Sequence, residues 1–268
     1  MANGIGRVVL IGAGPGDPEL LTVRAYRALQ SADVVLYDAL VSDEIVALAA
    51  GALRIDVGKI GGGPRTEQAD IEAMLYHYAS AGHTVVRLKG GDSFVFGRGS
   101  EEALYLGERG IPVDVVPGIS SCIAAPAYAG IPVTHRNVAT HFTVITGHAA
   151  AGGDAALQES WANAARLGGT LVFMMGVRRI SKIMGVLADN GMSPDTPVAV
   201  VQNGTCANQR VVTGTIATID AVVRQSGIGA PAVTIVGEVV RLQPALAEAM
   251  AQNAASQHAH YELERRAH

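Results

Sequence analysis

Short apolar runs alternate with segments of helical periodicity along most of this chain. Val85, Val86 and Leu88 are strand formers with little polar interruption, as in a strand that is buried on both faces of a sheet. Residues 19–30 instead place apolar side chains every three or four positions, which is the period of an amphipathic helix. The alternation of these two patterns predicts an α/β fold.

The predicted elements fall into two groups, separated by a break at Pro117-Gly118. The first group has strands at 7–12, 33–37, 53–57, 85–88 and 113–116, and helices at 19–30, 42–50, 66–81 and 101–109. The second group has strands at 142–146, 170–175, 198–201, 209–214 and 232–236, and helices at 122–128, 154–167, 178–190 and 216–225. We therefore expect domains over 1–117 and 118–243, followed by a helix and polar tail over 244–268.

A glycine turn after the strand at 85–88 is the first candidate site. Gly90 and Gly91 let the backbone turn sharply and approach a ligand closely. Asp92 can accept hydrogen bonds from ribose hydroxyls or an amino group, and residues 94–96 supply an apolar wall. These features suit a nucleoside. The alternative is an ordinary loop between strand and helix in which Asp92 caps a turn.

A second glycine loop, Gly12–Pro18, follows the first strand and resembles the dinucleotide-binding fingerprint. Asp17 stands where that fingerprint requires its third glycine, and Pro15 stiffens the loop. A carboxylate at the start of the helix would repel the pyrophosphate that normally binds there. The loop therefore argues against an NAD-dependent dehydrogenase.

Two charged residues stand at the ends of predicted strands, where ligands and catalytic groups gather in open α/β sheets. Asp38 follows the second strand and Lys59 follows the third. Asp38 is a functional carboxylate, the ribose-binding acid of a dinucleotide fold, or a helix-capping or turn residue, and its position alone does not separate these. Lys59 is either a solvated charge or, with Arg65 in the neighbouring glycine-rich loop, a partner for a carboxylated substrate.

Composition narrows the class of protein. The 268 residues are 49% hydrophobic and carry a net charge of −4, so no general basic field attracts nucleic acid or an anionic membrane. Cys122 and Cys206 are too few for a disulfide framework and do not pair with histidines at ligand spacing, so no metal site is predicted. We find neither a secretory signal nor a membrane-spanning run and expect a cytoplasmic protein.

Six motifs, in order and with matching gaps over about residues 7–243, resemble the S-adenosylmethionine-dependent uroporphyrinogen-III C-methyltransferases of the tetrapyrrole methylase superfamily. They are Gly12–Pro18, Leu88–Asp92, Phe96–Gly99 with Glu101-Glu102, Pro117–Ile119, Gly130–Arg136 and Asn203–Thr205. Ser93 departs from the family pattern, which usually has proline there. Another tetrapyrrole (precorrin) C-methyltransferase is the alternative within this class, and a ligand-sensing α/β module is the non-enzymatic one.

The resemblance implies two α/β domains with the cofactor in the cleft between them, and a homodimer. It implies transfer of two methyl groups, to C-2 and C-7 of uroporphyrinogen III, giving precorrin-2. Asp38 and Lys59 match positions assigned as proton acceptor and proton donor. The residues matching S-adenosylmethionine contacts are Pro15, Gly90, Gly91, Asp92, Val95, Ser120, Ser121, Met175 and Gly204. The candidates to meet the eight substrate carboxylates are Lys59, Arg65, Arg98, Arg136 and Arg178.

Overall fold

The computed structural model describes residues 4–58, 66–148 and 153–251. The chain divides into two compact units on either side of the Ser121–Cys122 bond. Each unit contains a five-stranded sheet with helices packed on it, so the predicted α/β class is confirmed.

The first unit contains a parallel sheet with the strand order β3-β2-β4-β1-β5. Its strands are β1 (Arg7–Gly12), β2 (Val34–Tyr37), β3 (Leu53–Asp56), β4 (Thr84–Lys89) and β5 (Val113–Val116). Its helices are α1 (Val23–Gln30), α2 (Asp43–Ala47), α3 (Gln68–Ser80) and α4 (Gly99–Gly107).

The helices of the first unit cover both faces of its sheet. Helices α1 and α2 pack on the face that carries Val86 and Leu88. Helices α3 and α4 pack on the opposite face, against Val85 and its neighbours. The helices that follow β1 and β2 therefore lie on one face of the sheet, and the helix that follows the adjacent β4 lies on the other face. Such a reversal opens a crevice at the carboxyl ends of the strands, where ligands bind in open α/β sheets.

The helix predicted over 19–30 is wrong at its start. Pro18–Leu20 form a short 3₁₀ turn, and Asp17 Oδ1 accepts a hydrogen bond from the Glu19 amide at 2.9 Å. Leu21 is extended, and α1 begins only at Val23. Thr22 Oγ1 accepts from the Ala25 amide at 3.2 Å and so caps the helix. Two capping side chains, Asp17 and Thr22, thus divide the apolar pattern into two elements.

The second unit has the strand order β6-β7-β10-β8-β9, in which only β6 and β7 are parallel. Its strands are β6 (Phe142–Thr146), β7 (Thr170–Met174), β8 (Pro197–Gln202), β9 (Arg210–Thr215) and β10 (Ala232–Val236). Helix α5 (Ser121–Tyr128) begins at the division, and the later helices are α6 (Gly153–Leu167), α7 (Ile180–Asp189), α8 (Ile219–Ser226) and α9 (243–251). Trp161 and Phe173 are fully buried against each other in the core between α6 and the sheet.

Candidate functional site

The loops that follow β1 and β4 are joined backbone to backbone. The Gly14 amide donates to the Gly91 carbonyl at 3.1 Å, and the Gly91 amide donates to the Gly14 carbonyl at 2.7 Å. The Ala13 amide donates to the Lys89 carbonyl at 2.7 Å. Gly91 has a φ of +69°, which glycine adopts without strain. The two predicted glycine loops therefore form one structure at the carboxyl edge of the sheet.

A third glycine completes this surface. A Cβ atom on Gly118 would lie 2.2 Å from the Gly91 carbonyl oxygen and 2.6 Å from the Gly12 carbonyl oxygen. Gly12, Gly91 and Gly118 thus pack without side chains between them, and we call them the glycine floor. A floor of bare backbone is the kind of cradle that a large planar or extended ligand group requires, so the residues present fit a nucleoside cofactor.

Asp92 holds the floor together. Its Oδ1 accepts from the Phe94 amide at 2.8 Å, and its Oδ2 accepts from the Gly118 amide at 3.0 Å. The turn-capping alternative considered for Asp92 is therefore present. Each carboxylate oxygen has a second lone pair, so the same side chain can also accept a hydrogen bond from a ligand hydroxyl.

The remaining predicted contacts of the first unit lie around this turn. The Val95 amide donates to the Asp92 carbonyl at 3.3 Å. The backbone of Ser120 and Ser121 lies 3.8 Å from the position of a Cβ atom on Gly91. Pro15 follows Gly14 directly in the β1 loop, and Gly90 precedes Gly91 in the β4 loop. The structure brings all of these residues to the carboxyl edge of the first sheet.

Strained backbone conformations occur in the segments of both units that are predicted to form the site. Among the described residues, each non-glycine residue with a positive φ lies in or beside a predicted site segment. These residues are Phe96, Arg98, Met175, Asn203 and Thr205. Left-handed backbone at such residues costs free energy, and it clusters at ligand-binding sites in proteins.

In the second unit, Met175 and Gly204 each follow a strand. Met175 directly follows β7 and has a φ of +56° and a half-exposed side chain, so it is free to contact a ligand. Gly204 lies between two left-handed residues, and a Cβ atom on it would lie 2.3 Å from Ala125 Cβ. Packing against α5 therefore requires glycine at this position whether or not a ligand contacts it.

Asp38 lies at the end of β2 and joins a network that the sequence reasoning missed. Its Oδ1 accepts from Arg87 Nη2 at 2.5 Å, and its Oδ2 lies 4.0 Å from Lys89 Nζ. Glu102 Oε1 accepts from Arg87 Nε at 3.1 Å and from Lys89 Nζ at 3.0 Å. Arg87, Lys89 and Glu102 are almost completely buried, whereas the Asp38 side chain is 32% exposed. We call these four residues the charge network.

Strand β4 is buried as predicted, but two of its buried residues are basic. Arg87 and Lys89 alternate with Val86 and Leu88, so they share one face of β4 and point toward α3 and α4. Burial, aided by the nearby Arg87 charge, lowers the pKa of Lys89, while Glu102 and Asp38 oppose that shift. The signal in the sequence that could have revealed the network is the period-two spacing of two basic residues, with Glu102 in the first turn of the following helix.

The candidate substrate-binding residues are only partly described. Lys59 and Arg65 lie outside the described residues. Arg136 and Arg178 are exposed. Arg98 is 54% exposed and pairs with Glu101, with Nη2 and Oε2 2.7 Å apart. That hydrogen bond raises the pKa of Arg98 and lowers the pKa of Glu101.

Fold and site together define an α/β ligand-binding protein whose first sheet ends in a bare-backbone cradle. The family profile "Tetrapyrrole (Corrin/Porphyrin) Methylases" matches residues 7–220. The chain belongs to this family of methyltransferases. Within the described ranges, no helix is long and apolar enough to cross a membrane.

Individual relatives are similar over most of the chain. The S-adenosyl-L-methionine-dependent uroporphyrinogen III methyltransferase of Methanosarcina barkeri is 48% identical over 252 residues, covering 92% of this chain and 97% of that protein. Siroheme synthase 2 of Aeromonas hydrophila is 47% identical over 246 residues, but this chain spans only 51% of its length. The uroporphyrin-III C-methyl transferase of Thermus thermophilus, crystallised with S-adenyl homocysteine, has a TM-score of 0.76 at 41% identity, covering 88% of this chain and 94% of that one.

Proposed function

We propose that this protein is an S-adenosylmethionine-dependent uroporphyrinogen-III C-methyltransferase. It adds methyl groups at C-2 and C-7 and gives precorrin-2, the precursor for siroheme and cobalamin biosynthesis. The observation that carries the proposal is the glycine floor anchored by Asp92, in a chain whose close relatives bear this activity in their names. A relative of the same fold was crystallised with the demethylated cofactor.

The proposed cofactor contacts are those implied by the resemblance. In the first unit they border the glycine floor, and in the second unit they follow β7 and β8. They are Pro15, Gly90, Gly91, Asp92, Val95, Ser120, Ser121, Met175 and Gly204. When bound, S-adenosylmethionine supplies an electrophilic methyl group on a sulfonium. The floor leaves room for the ligand because no Cβ atom projects from Gly91.

The protein's own contribution is alignment and proton transfer. A pyrrole carbon forms the new C–C bond as the S–C bond breaks, and the methylated ring system then loses a proton from another of its atoms. The chain need not supply a nucleophile, since holding the two reactants in line is itself a large rate effect. We propose that Asp38 accepts the departing proton, for which its carboxylate is one-third exposed at the end of β2. Lys59 is the proposed proton donor.

The substrate is a small molecule rich in carboxylates. The exposed guanidinium groups of Arg98, Arg136 and Arg178 are candidates to bind them, since arginine pairs with carboxylates through two parallel hydrogen bonds. We further propose a metal-independent homodimer. The cytoplasmic location expected from the sequence stays a prediction.

The test is incubation with uroporphyrinogen III and a donor carrying a radiolabelled methyl group. We expect two labels per macrocycle and a product with the absorption of precorrin-2 or its oxidised form. Methylation of a precorrin but not of uroporphyrinogen III would favour the alternative within the family. Binding of S-adenosylhomocysteine without any transfer would leave a ligand-sensing module.

The first prediction concerns Asp38. Replacing it by asparagine keeps the shape of the side chain but removes the proton acceptor. We expect kcat to fall about 10²- to 10⁴-fold, the usual contribution of general acid–base catalysis. The dissociation constant of S-adenosylhomocysteine, measured by calorimetry, should not change. The matched control is Asp43→Asn, in the exposed first turn of α2, which should keep full turnover. An unchanged kcat in Asp38→Asn would show that Asp38 is not the proton acceptor.

The second prediction concerns Gly91. Valine at a φ of +69° is strained and places a branched side chain on the floor, so we expect Gly91→Val to lose S-adenosylhomocysteine binding. Gly110→Val is the matched control, because Gly110 has a φ of +73° with nothing within 4 Å of a Cβ atom. Both variants carry the same backbone strain, and only the first should lose calorimetric binding. Equal affinities in the two variants would contradict the placement of the cofactor.

A further inference from the structure

The charge network connects the interior of the first unit to the carboxylate proposed as proton acceptor. Arg87 is at the centre of this connection because every nitrogen of its guanidinium group has an acceptor. Nε donates to Glu102, Nη2 to Asp38, and Nη1 to the carbonyls of Leu36 and Leu88 at 3.4 and 3.3 Å. A planar group held at three corners has one orientation, and it imposes that orientation on the carboxylate it binds.

Glu102 supplies the counter-charge that lets two cations remain buried together. Arg87 is 2% exposed and Lys89 is 3% exposed, on adjacent same-face positions of a central strand. Both donate to Glu102 Oε1, to which Gln68 Nε2 also donates at 3.2 Å. With Asp38 included, two positive and two negative groups balance. Such an arrangement costs desolvation energy, and replacing buried ion clusters by apolar residues is often neutral or stabilising.

We propose that Arg87, Lys89 and Glu102 are positioning residues of the methyl-transfer site. They hold the Asp38 carboxylate in one orientation, with one oxygen fixed by Arg87 and the other facing Lys89. The inference rests on the proposed function, because it assigns these three residues a role through Asp38. They are not proposed to touch the substrate.

The same geometry indicates which oxygen of Asp38 accepts the proton. Arg87 donates to Asp38 Oδ1, whereas among the described residues Oδ2 has only Lys89 Nζ nearby, at 4.0 Å. Oδ2 is therefore the oxygen that receives the proton from the methylated ring. Within the described part of the chain, the groups facing the two carboxylates are Arg87 and Lys89 on β4 and Gln68 on α3. Gln68 Nε2 also donates to Glu72 Oε1 at 3.4 Å.

A double-mutant cycle on kcat tests the proposal. Arg87→Lys keeps the positive charge but loses the planar guanidinium fork that fixes the orientation of Asp38. We expect it to lower kcat about 10- to 100-fold, as small misplacements of catalytic groups do. In the Asp38→Asn background the same change should have no further effect on kcat. The KM for uroporphyrinogen III and the affinity for S-adenosylhomocysteine should stay within about twofold throughout, since a positioning role for Arg87 leaves both binding surfaces unchanged.

The outcomes separate the two proposals. If Arg87→Lys lowers kcat equally in both backgrounds, or lowers cofactor affinity as well, Arg87 has a structural role only and the inference is overturned while the proposed function stands. If Asp38→Asn keeps full turnover, the role of Asp38 fails and the inference fails with it. If Arg87→Lys does not fold, the same double-mutant cycle with Asp38→Asn is made with Lys89→Met instead. Arg7→Gln, in an exposed pair with Asp114 on the same sheet, is the control that should leave kcat unchanged.

Discussion

Replacing Glu102 by leucine should destabilise the first unit by about 3–5 kcal/mol, the cost of removing one partner from a buried ion pair. The side chain is fully buried, and Arg87 and Lys89 both donate to the same oxygen atom. Leucine fills a similar volume, so the loss comes from stranding two buried cations rather than from a cavity. The measurement is urea-induced unfolding followed by far-ultraviolet circular dichroism, with the midpoint and slope compared between variants.

The control is Glu101→Leu, one residue away on the same helix. Glu101 is 52% exposed and pairs with an exposed arginine, so its loss should cost less than about 1 kcal/mol. Trp161, the only tryptophan, lies in the second unit, and its fluorescence therefore follows that unit separately. If Glu102→Leu unfolded at the same urea concentration as the wild-type protein, Glu102 would not stabilise Arg87 and Lys89 as the charge network requires.

A triple variant separates electrostatic from packing causes. Arg87→Met and Lys89→Met combined with Glu102→Leu remove all three buried charges together. Replacing a whole buried ion cluster by apolar residues is often neutral or stabilising. We therefore expect the triple variant to be more stable than Glu102→Leu alone, although it loses the orientation of Asp38.

Most elements of the first unit, including its glycine turns, could be predicted from local sequence signals. Strand periods, glycine turns and capping residues act over a few positions. The turn after β4 therefore lies where it is predicted, and the helix predicted over 101–109 is found as α4 over Gly99–Gly107. The charge network could not be predicted in the same way. Its hydrogen-bonded partners are 13, 15 and 49 residues apart along the chain, and charged residues inside a strand interrupt the apolar pattern that identifies a strand.

The second unit shows a different limit. Its strands lie close to their predicted positions, but β10 runs antiparallel to both of its neighbours. The direction of a strand depends on which strand it pairs with, and pairing is a long-range choice that a buried apolar run does not encode. The same holds for Gly204, whose need for glycine arises from Ala125 on α5 and not from its own turn.

Gly118→Ala should abolish cofactor binding through a single added methyl group. The new Cβ would lie 2.2 Å from the Gly91 carbonyl oxygen and 2.6 Å from the Gly12 carbonyl carbon and oxygen. These neighbours are backbone atoms, so no side chain can rotate away, and the loops after β1, β4 and β5 must separate. The separation would also weaken the hydrogen bond from the Gly118 amide to Asp92.

We expect the affinity for S-adenosylhomocysteine, measured by calorimetry, to fall at least about 100-fold, with a loss of stability of about 1–3 kcal/mol from overpacking. Gly107→Ala is the matched control, because it adds the same methyl group at the end of α4 with nothing within 4 Å. That variant should bind normally and be slightly more stable, since alanine favours the helix over glycine. Normal binding by Gly118→Ala would mean that the cofactor does not bind at the glycine floor. A ligand that binds there would lose contacts when the three loops separate.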